Sequence, residues 1–328
     1  MTTALESPGP VVCIGECMIE FAPEPGTGGR SYRRGVAGDT YNTAVYLARL
    51  HPAPVSYLSA LGTDTISDEM ISRFRAEGLE TGLVGRIDGA MPGLYVIETD
   101  GAGERRFHYW RNNSAARRML AETGVEELAE RLARFRAIYF SGITLAILPP
   151  DARDTLFTAI GGMRTRPGAP LIAFDPNFRT VLWPDTAAAA TAFQRAASLS
   201  DVVLSTWDDD RILFGDADIA AAAARWRATG VRSVMVRNGG AGCLVTGDGA
   251  DDILVPAEAG TRPVDTTGCG DSFNAGFLAA RLAGKMPADA ARFAHRIAAR
   301  VSQYPGAIIE RKTWDQLFPE YRAEVVNR

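Results

Sequence analysis

Short apolar runs alternate with amphipathic stretches along most of the chain. Val11–Ile14 predicts a first buried strand. A helix is expected after the next loop, because apolar side chains from Tyr41 to Ala48 recur at the spacing i, i+3, i+4, i+7. The expected N-cap of that helix is Asp39 or Thr40, since short polar side chains accept hydrogen bonds from the free N–H groups at a helix start.

The second half of the chain alternates regularly between strand and helix patterns. Apolar runs that predict strands cover residues 137–141, 171–175, 202–205, 233–237 and 243–246. Helices are expected between them and also over residues 271–283 and 287–304. Such alternation is typical of an α/β fold with a mostly parallel sheet covered by helices on both faces. Ligands of such folds bind beyond the carboxyl ends of the strands.

A hairpin pattern interrupts this alternation in the first half of the chain. Two runs between residues 93 and 111 follow the two-residue period of strands, and the turn between them, residues 100–103, contains an Asp-Gly pair. Tyr109 and Arg111 would share one face of the second strand, with Tyr95 on the partner strand. We expect this hairpin to form a small β-sheet lid on the large domain.

Composition and charge narrow the possible functions. The chain has 328 residues, of which 46% are hydrophobic and 23% charged, and its net charge is −4. This balance argues against a general nucleic-acid or membrane binder. No apolar run is long enough to span a membrane, and the first residues lack the pattern of a signal peptide, so we expect a cytoplasmic protein. Because the chain has only 3 histidines, carboxylates, arginines or backbone groups must carry its chemistry.

The segment over residues 265–276 carries the clearest chemical pattern. Its small residues lead directly into a helix, which leaves N–H groups of Gly268, Cys269 and Gly270 at the positive end of the helix dipole, a place suited to phosphate. The carboxylate there, Asp271, is either an ordinary N-cap or a base that accepts a proton from a hydroxyl attacking phosphorus. The Cys269 thiol either fills a small space or has a pKa lowered by the helix N-terminus.

Three motifs, in order along the chain, resemble those of the PfkB, or ribokinase-like, family of sugar kinases. Residues 265–276 resemble the C-terminal signature of that family, with Cys269 in place of the usual alanine. Residues 37–44 resemble its N-terminal signature, and residues 236–242 its nucleotide-side element, with Arg237 in place of lysine. No Walker A motif is present, and no GxGxxG follows a first strand. Because the three motifs occur together, they favour Asp271 as a base.

The resemblance implies a fold and a nucleotide site. The implied fold is a ribokinase-like three-layer α/β/α domain over residues 1–328, with a β-sheet lid from segments near 16–36 and 85–113. ATP and Mg²⁺ are the implied cofactors. The expected ATP-binding residues are Asn177, Arg179, Arg237, Gly239, Gly242, Gly268, Cys269, Gly270 and His295. The expected metal contact is Asp209, through water, because Thr206 and Asp209 replace the family's Asn-x-x-Glu element.

Four local features are typical of the branch of this family that phosphorylates the sugar acid 2-keto-3-deoxygluconate. They lie at residues 14–20, 109–111, 174–179 and the Thr206/Asp209 pair. A sugar acid brings a carboxylate, which a planar guanidinium such as that of Arg111 binds through two N–H groups. The expected substrate-binding residues are Gly38, Asp39, Asn42, Tyr95, Tyr109, Arg111, Arg179 and Asp271. The expected product is 2-keto-3-deoxy-6-phosphogluconate.

Two alternatives and one assembly remain to be considered. A kinase for a neutral ketose such as fructose would need no carboxylate clamp. A non-catalytic sugar-sensing protein of the same fold would bind its ligand without turnover, and the altered Thr206/Asp209 pair leaves this open. The aromatic and arginine side chains of residues 109–111 are also typical of a lid strand that packs against a dimer partner. Because Trp110 and His108 would lie on the far face of the lid, we expect a homo-oligomer assembled through the lid. The expected partners are ATP and a small sugar acid, with no nucleic acid and no membrane.

Overall fold

The computed structural model describes residues 9–24, 26–27, 29–99, 105–247 and 250–326. The predicted turn at 100–103 therefore lies outside the described residues. The strands are β1 (Val11–Ile14), β2 (Met18–Pro23), β3 (Tyr32–Ala37), β4 (Val55–Gly62), β5 (Leu79–Glu80), β6 (Val84–Ile87), β7 (Leu94–Thr99), β8 (Arg105–Trp110), β9 (Ala137–Ser141), β10 (Leu171–Asp175), β11 (Val202–Thr206), β12 (Ser233–Arg237), β13 (Cys243–Gly247) and β14 (Ala250–Val255).

The helices alternate with these strands. They are α1 (Asp39–Leu50), α2 (Thr65–Ala76), α3 (Val125–Leu132), α4 (Gly142–Ile147), α5 (Pro150–Arg164), α6 (Thr186–Ser198), α7 (Trp207–Phe214), α8 (Ile219–Arg227), α9 (Cys269–Leu282), α10 (Pro287–Val301), α11 (Arg311–Leu317) and α12 (Pro319–Val326). No helix in the described part of the chain combines the length and the apolar character needed to cross a bilayer.

The central sheet has the strand order β14-β13-β12-β11-β10-β9-β1-β4-β5, with β6 also paired to β4. Neighbouring strands of this sheet are parallel except at the β14 edge, where β13 runs antiparallel to both β12 and β14. The predicted α/β fold with a mostly parallel sheet is confirmed. Strands β9, β10 and β12 have the bounds that their apolar runs predict.

Helices cover both faces of this sheet because its central strands are apolar on both sides. Every residue of β1 is buried. Val11 and Cys13 pack into one core with α1, α9 and α10, whereas Val12 and Ile14 pack into a second core with α5, α6 and α8. This double burial accounts for continuous apolar runs in place of alternating ones.

A second sheet, which we call the small sheet, has the order β3-β2-β7-β8. The predicted hairpin strands β7 and β8 are antiparallel, and Tyr95 lies directly opposite Tyr109. The partner on the other side, β2, is parallel to β7 and places Glu20 beside Tyr95. Glu20, Tyr95 and Tyr109 therefore share one face of the small sheet, because directly paired residues point to the same side.

Glycines begin the two helices that reach the expected site. The N-cap of α1 is Gly38, so the prediction of Asp39 or Thr40 is wrong by one or two residues. A Cβ on Gly38 would lie 2.3 Å from the carbonyl oxygen of Glu16, which leaves no room for a capping side chain. The N-cap of α9 is Gly268, with a φ of 76°. Asp271 lies in the first turn of α9, so the interpretation of Asp271 as the N-cap is wrong.

Candidate active site

The predicted carboxylates meet at the carboxyl edge of the central sheet. Asp175 ends β10, and Asp209 lies in α7, directly after β11. The first turns of α1 and α9 bring Asp39 and Asp271 to the same edge. Residues that are far apart in the chain thus form one cleft between the sheet edge and two helix N-termini.

Two residues of α1 hold Asp271 in place. Asn42 Nδ2 donates a hydrogen bond of 2.8 Å to Asp271 Oδ2, and Thr43 Oγ1 donates one of 3.2 Å to the Asp271 carbonyl oxygen. Burial and the charges of Asp39 and Asp175 raise the pKa of Asp271 to about 8, against the opposing effects of Asn42 and Arg237. A carboxylate with a pKa near neutrality is a more effective proton acceptor than an ordinary aspartate.

Asp39 is tied to the loop that follows β10. Asn177 Nδ2 donates a hydrogen bond of 3.0 Å to Asp39 Oδ2, and Asn177 N–H donates one of 3.0 Å to Asp175 Oδ1. Burial raises the pKa of Asp39, with Asp175 adding to this effect. Asn177 has a φ of 33°, a left-handed conformation that asparagine tolerates better than most residues. Its side-chain amide therefore orients Asp39 in this structure, and the ATP contact of Asn177 stays a prediction.

The turn before Asp271 has the features of an anion site. Gly268, Cys269 and Gly270 are partly exposed at the start of α9. The N–H of Cys269 already donates to the Thr266 carbonyl oxygen at 3.2 Å. The first N–H groups of an α-helix have no intrahelical partner, so those of Gly270 and Asp271 remain to face an anion. Phosphate binding at this turn stays a prediction, and the Cys269 N–H already has a partner.

The Cys269 thiol does not have the properties of a reactive thiol. Burial raises its pKa to about 12, and the nearby charges of Asp265 and Asp271 act in the same direction. Its Sγ lies 3.7 Å from the Ala298 carbonyl oxygen. The alternative of a lowered pKa is therefore wrong, because burial and two carboxylates raise the pKa of this thiol. Cys269 fills a small space, as alanine would.

The Arg237 guanidinium is fully engaged by acceptors of the protein itself. Its side chain is buried, and its guanidinium hydrogen-bonds the Ser205, Leu204 and Gly270 carbonyl oxygens as well as Asp175 and Asn274. A guanidinium has five N–H groups, so these acceptors use all of them. The prediction that the Arg237 side chain binds ATP is not supported, because it has no N–H left to donate to a phosphate.

A buried ion pair joins the small sheet to the central one. Arg111, just after β8, pairs with Glu16, in the loop between β1 and β2, and their side chains are 6% and 1% exposed. Arg111 Nε is buried and has no hydrogen-bond partner within the described residues. The guanidinium carbon also lies 5.9 Å from the centre of the Tyr109 ring. Arg111 therefore keeps donor capacity even though Glu16 already balances its charge.

The face of the small sheet that carries Tyr109 looks towards the cleft. Burial raises the pKa of Tyr109, and the charges of Arg111, Arg179 and Asp39 all act on it. The Tyr95 hydroxyl donates a hydrogen bond of 2.5 Å to Glu20 Oε2. Because its proton is used there, Tyr95 can accept a hydrogen bond from a ligand but not donate one. The Tyr109 hydroxyl thus lies near the charges of Arg111, Arg179 and Asp39.

Asp209 lies beside Arg179. Asp209 Oδ2 accepts a hydrogen bond of 3.1 Å from the Phe178 N–H, and Asp209 Oδ1 lies 3.9 Å from Arg179 Nη1. Arg179 Nη1 donates a hydrogen bond of 2.9 Å to the Phe178 carbonyl oxygen, and its side chain is 49% exposed, so a ligand can contact it from the solvent side. No group of three or more metal-binding side chains occurs among the described residues. Asp209 therefore offers a single carboxylate to a metal ion.

The remaining predicted nucleotide residues have mixed positions. Gly239 begins a short 3₁₀ turn and is exposed, whereas Gly242 is buried. His295 packs edge-on against Phe273, with ring centres 5.0 Å apart. Burial and the charge of Arg237 lower the pKa of His295 to about 4, so the ring is neutral at physiological pH. An adenine contact by His295 stays a prediction.

Some residues of the site carry no strong signal in the sequence. The signal for Glu16 is weak: it is a charged residue that comes shortly after the apolar run of β1. Asn274 lies three residues after Asp271, so both fall on one side of α9. Asn274 Nδ2 donates a hydrogen bond of 2.6 Å to Asp175 Oδ2. Thr43, one residue after Asn42, donates to the Asp271 carbonyl oxygen. Their partners lie far away in the chain, where sequence spacing gives no guidance.

Comparison with known proteins shows the family of the chain. The family model for pfkB family carbohydrate kinases matches residues 10–314. The chain therefore belongs to the pfkB family of carbohydrate kinases. It is 40% identical over 307 residues to a 2-dehydro-3-deoxygluconokinase of Escherichia coli K12, covering 92% of this chain and 97% of that protein.

Other relatives place the chain within the family. The 2-dehydro-3-deoxygluconokinase of Dickeya dadantii is 41% identical over 304 residues, covering 91% of this chain and 96% of that protein. Fructokinases also match, at 26% identity. Among solved structures, a PfkB protein from Polaromonas sp. JS666 superposes with a TM-score of 0.77 at 26% identity, covering 97% of this chain and 98% of that one. The three-layer fold implied by the sequence motifs is thus confirmed.

Proposed function

We propose that this protein phosphorylates 2-dehydro-3-deoxygluconate, also written 2-keto-3-deoxygluconate, with ATP to give the 6-phosphate. The observation that carries the proposal is the buried Arg111, which lies beside Tyr109 and keeps an unpartnered Nε. A guanidinium pairs well with a substrate carboxylate, and a neutral sugar offers it no such partner. The relatives at 40% identity have this activity in their names, which supports the same choice.

In the proposed reaction, the sugar acid lies between the small sheet and α1. Its carboxylate is bound by Arg111 and its hydroxyl groups by Asp39 and Asn42, while Tyr95 accepts a hydrogen bond. Asp271 takes the proton of the terminal hydroxyl as that oxygen attacks the γ-phosphorus of ATP in line. N–H groups at the start of α9 stabilise the charge that develops on the phosphoryl oxygens.

The nucleotide would lie on the other side of Asp271. The exposed Gly239 turn and the Gly268–Gly270 turn border this space, and Arg179 is free to reach the phosphates. The donor set fits Mg²⁺ that is held mainly by phosphate oxygens and water, with Asp209 as the nearby carboxylate. When bound, Mg²⁺ would neutralise phosphate charge.

A panel of sugars and sugar acids, each offered with ATP and Mg²⁺, tests this function. We expect kcat/KM for 2-dehydro-3-deoxygluconate to exceed that for fructose by at least about 10²-fold, because a neutral sugar leaves the buried Arg111 donor unpaired. A preference for fructose would support the neutral-ketose kinase instead. Saturable binding of the sugar acid without ADP formation would support the sensing protein.

We also propose that the protein is a homodimer assembled through the outer face of the small sheet, the face opposite Tyr109. Trp110 on that face is 59% exposed, and His108 beside it pairs with Glu98 at the surface. An exposed tryptophan on a sheet face is typical of an interface. Sedimentation velocity should give a dimer for the wild type and a monomer for Trp110→Glu. A monomeric wild type would contradict the assembly.

A further inference from the structure

Arg237 connects the ends of two strands to the start of the helix that carries Asp271. Its Nε donates to the Ser205 carbonyl oxygen at 3.1 Å, and its Nη2 to the Leu204 carbonyl oxygen at 2.9 Å, both in β11. Its Nη1 donates to the Gly270 carbonyl oxygen at 2.9 Å, one residue before Asp271. The guanidinium thus joins the peptide that precedes Asp271 to the edge of the central sheet.

Two side chains extend this connection. Arg237 Nη2 donates to Asp175 Oδ2 at 3.1 Å, and Nη1 donates to Asn274 Oδ1 at 3.0 Å. Asn274 Nδ2 in turn donates to Asp175 Oδ2 at 2.6 Å and to the Tyr139 hydroxyl at 3.0 Å. All of these groups are buried, so water cannot replace a lost partner without a cost. The network is closed, and each member fixes the orientation of another.

We propose that Arg237 is a positioning residue for phosphoryl transfer. It fixes the position of the Gly270–Asp271 peptide and does not contact ATP. The proposal rests on the proposed function in one respect, namely that Asp271 is the base of the reaction. Holding the Gly270 carbonyl oxygen inward directs the following N–H, that of Asp271, towards the cleft, because the two groups of a peptide unit point in opposite directions. The same contact fixes the first turn of α9, and with it the Asp271 carboxylate.

The charge of Arg237 has a separate effect on Asp271. The charged and titratable groups that act on Asp271 from the elements packed against it are Asp39 of α1, Tyr139 of β9, Asp175 of β10, Arg237 of β12 and, on its own helix, Cys269. Among them, Arg237 is the cation, so it favours the ionised form of Asp271. Its geometric and electrostatic effects are separable, because lysine keeps the charge and loses the planar set of donors.

Arg237→Lys tests the geometric effect. An ammonium group has three donors and cannot satisfy acceptors that now take five N–H groups. We expect kcat to fall about tenfold to a hundredfold, while KM for ATP stays within about twofold, because small displacements of reacting groups reduce rate more than binding. Arg232→Lys, at the other end of β12 and with a 65% exposed side chain, is the matched control and should behave as wild type.

Arg237→Gln tests the electrostatic effect through the pH profile. Without the cation the pKa of Asp271 should rise, so the acid limb of kcat/KM should move to higher pH than in the wild type. Arg237→Lys should leave that limb in place although its kcat is reduced. A general loss of stability lowers active concentration without moving the limb, so the profile distinguishes positioning from misfolding.

Specific outcomes would overturn the proposal. If Arg237→Lys raises KM for ATP at least tenfold and leaves kcat unchanged, Arg237 is a nucleotide ligand and not a positioning residue. If kcat of Arg237→Lys equals that of the wild type, the network has no effect on the reaction. Failure of the proposed function would look different, because the wild type itself would then phosphorylate no sugar acid. The Arg237 variants would in that case be compared with wild type on the substrate that the wild type prefers.

Discussion

Asp271→Asn should lower kcat by about 10²–10⁴-fold and leave ATP binding nearly unchanged. Asparagine has almost the same shape as aspartate, so Gly270 and the first turn of α9 keep their contacts. It cannot accept the proton of the attacking hydroxyl. Initial rates with 2-dehydro-3-deoxygluconate, together with ATP titration by calorimetry, measure both parts of this expectation. A kcat within tenfold of the wild type would show that Asp271 is not the base.

The pH dependence of the wild type provides an independent check on Asp271. The raised pKa of about 8 is that of Asp271 in the unliganded protein. The pH dependence of kcat/KM reports the pKa values of the unliganded enzyme, so it should show this titration. The base acts when deprotonated, so kcat/KM should increase with pH and level off above about pH 8. Asp271→Asn should lose this limb.

Stability provides the control for folding of Asp271→Asn. The folded-state pKa of Asp271 lies above the ordinary aspartate value of 3.8, so folding disfavours the ionised form. This cost appears as the pH rises through the interval between 3.8 and about 8. The neutral asparagine removes that cost. Thermal unfolding of Asp271→Asn near pH 8 should therefore occur at a temperature no lower than that of the wild type.

Arg111→Ala should lower kcat/KM for the sugar acid by roughly 10²–10³-fold. Hydrogen bonds to a charged group contribute about 1.5–3 kcal/mol each, and a guanidinium provides up to two of them to one carboxylate. The rate with a neutral sugar, which has no carboxylate, should change much less. Equal use of the sugar acid by Arg111→Ala and wild type would exclude the carboxylate clamp.

Removing Arg111 also leaves Glu16 buried without its counter-ion. A buried charge that loses its partner costs about 3–5 kcal/mol, so Arg111→Ala should melt at a lower temperature. The double variant Glu16→Gln/Arg111→Ala removes both charges and should recover most of that stability. If activity on the sugar acid recovered together with stability, the effect of Arg111 would be structural and not a matter of substrate binding.

Local sequence patterns are sufficient to predict the central strands and the start of the helix that carries Asp271. The strands at 137–141, 171–175 and 233–237 are correct to the residue because parallel strands buried on both faces form uninterrupted apolar runs. The position of Asp271 at a helix start follows from the glycine-rich turn before it. The start of α1 was less predictable, since the close approach of the Glu16 carbonyl oxygen, and not capping, decides in favour of Gly38.

The direction of the arginine side chains could not be predicted in this way. Arg237 lies at the end of a strand near a glycine turn, and nothing in its local sequence indicates that carbonyl oxygens of β11 are within its reach. The pairing of Arg111 with Glu16 joins residues on different sheets. Both orientations depend on long-range packing, which brings together acceptors from distant segments and decides whether a cation faces the interior or the cleft.

The hydrogen bond from Asn42 to Asp271 has a consequence for how the protein is made. These residues are 229 positions apart, and Tyr46, on the same helix as Asn42, bonds the Ala307 carbonyl oxygen. A ribosome therefore completes nearly the whole chain before the two halves of the cleft can meet. Prematurely terminated translation products that end before α9 contain the substrate-side residues of α1 but no base, so such fragments are expected to consume no ATP while they await degradation.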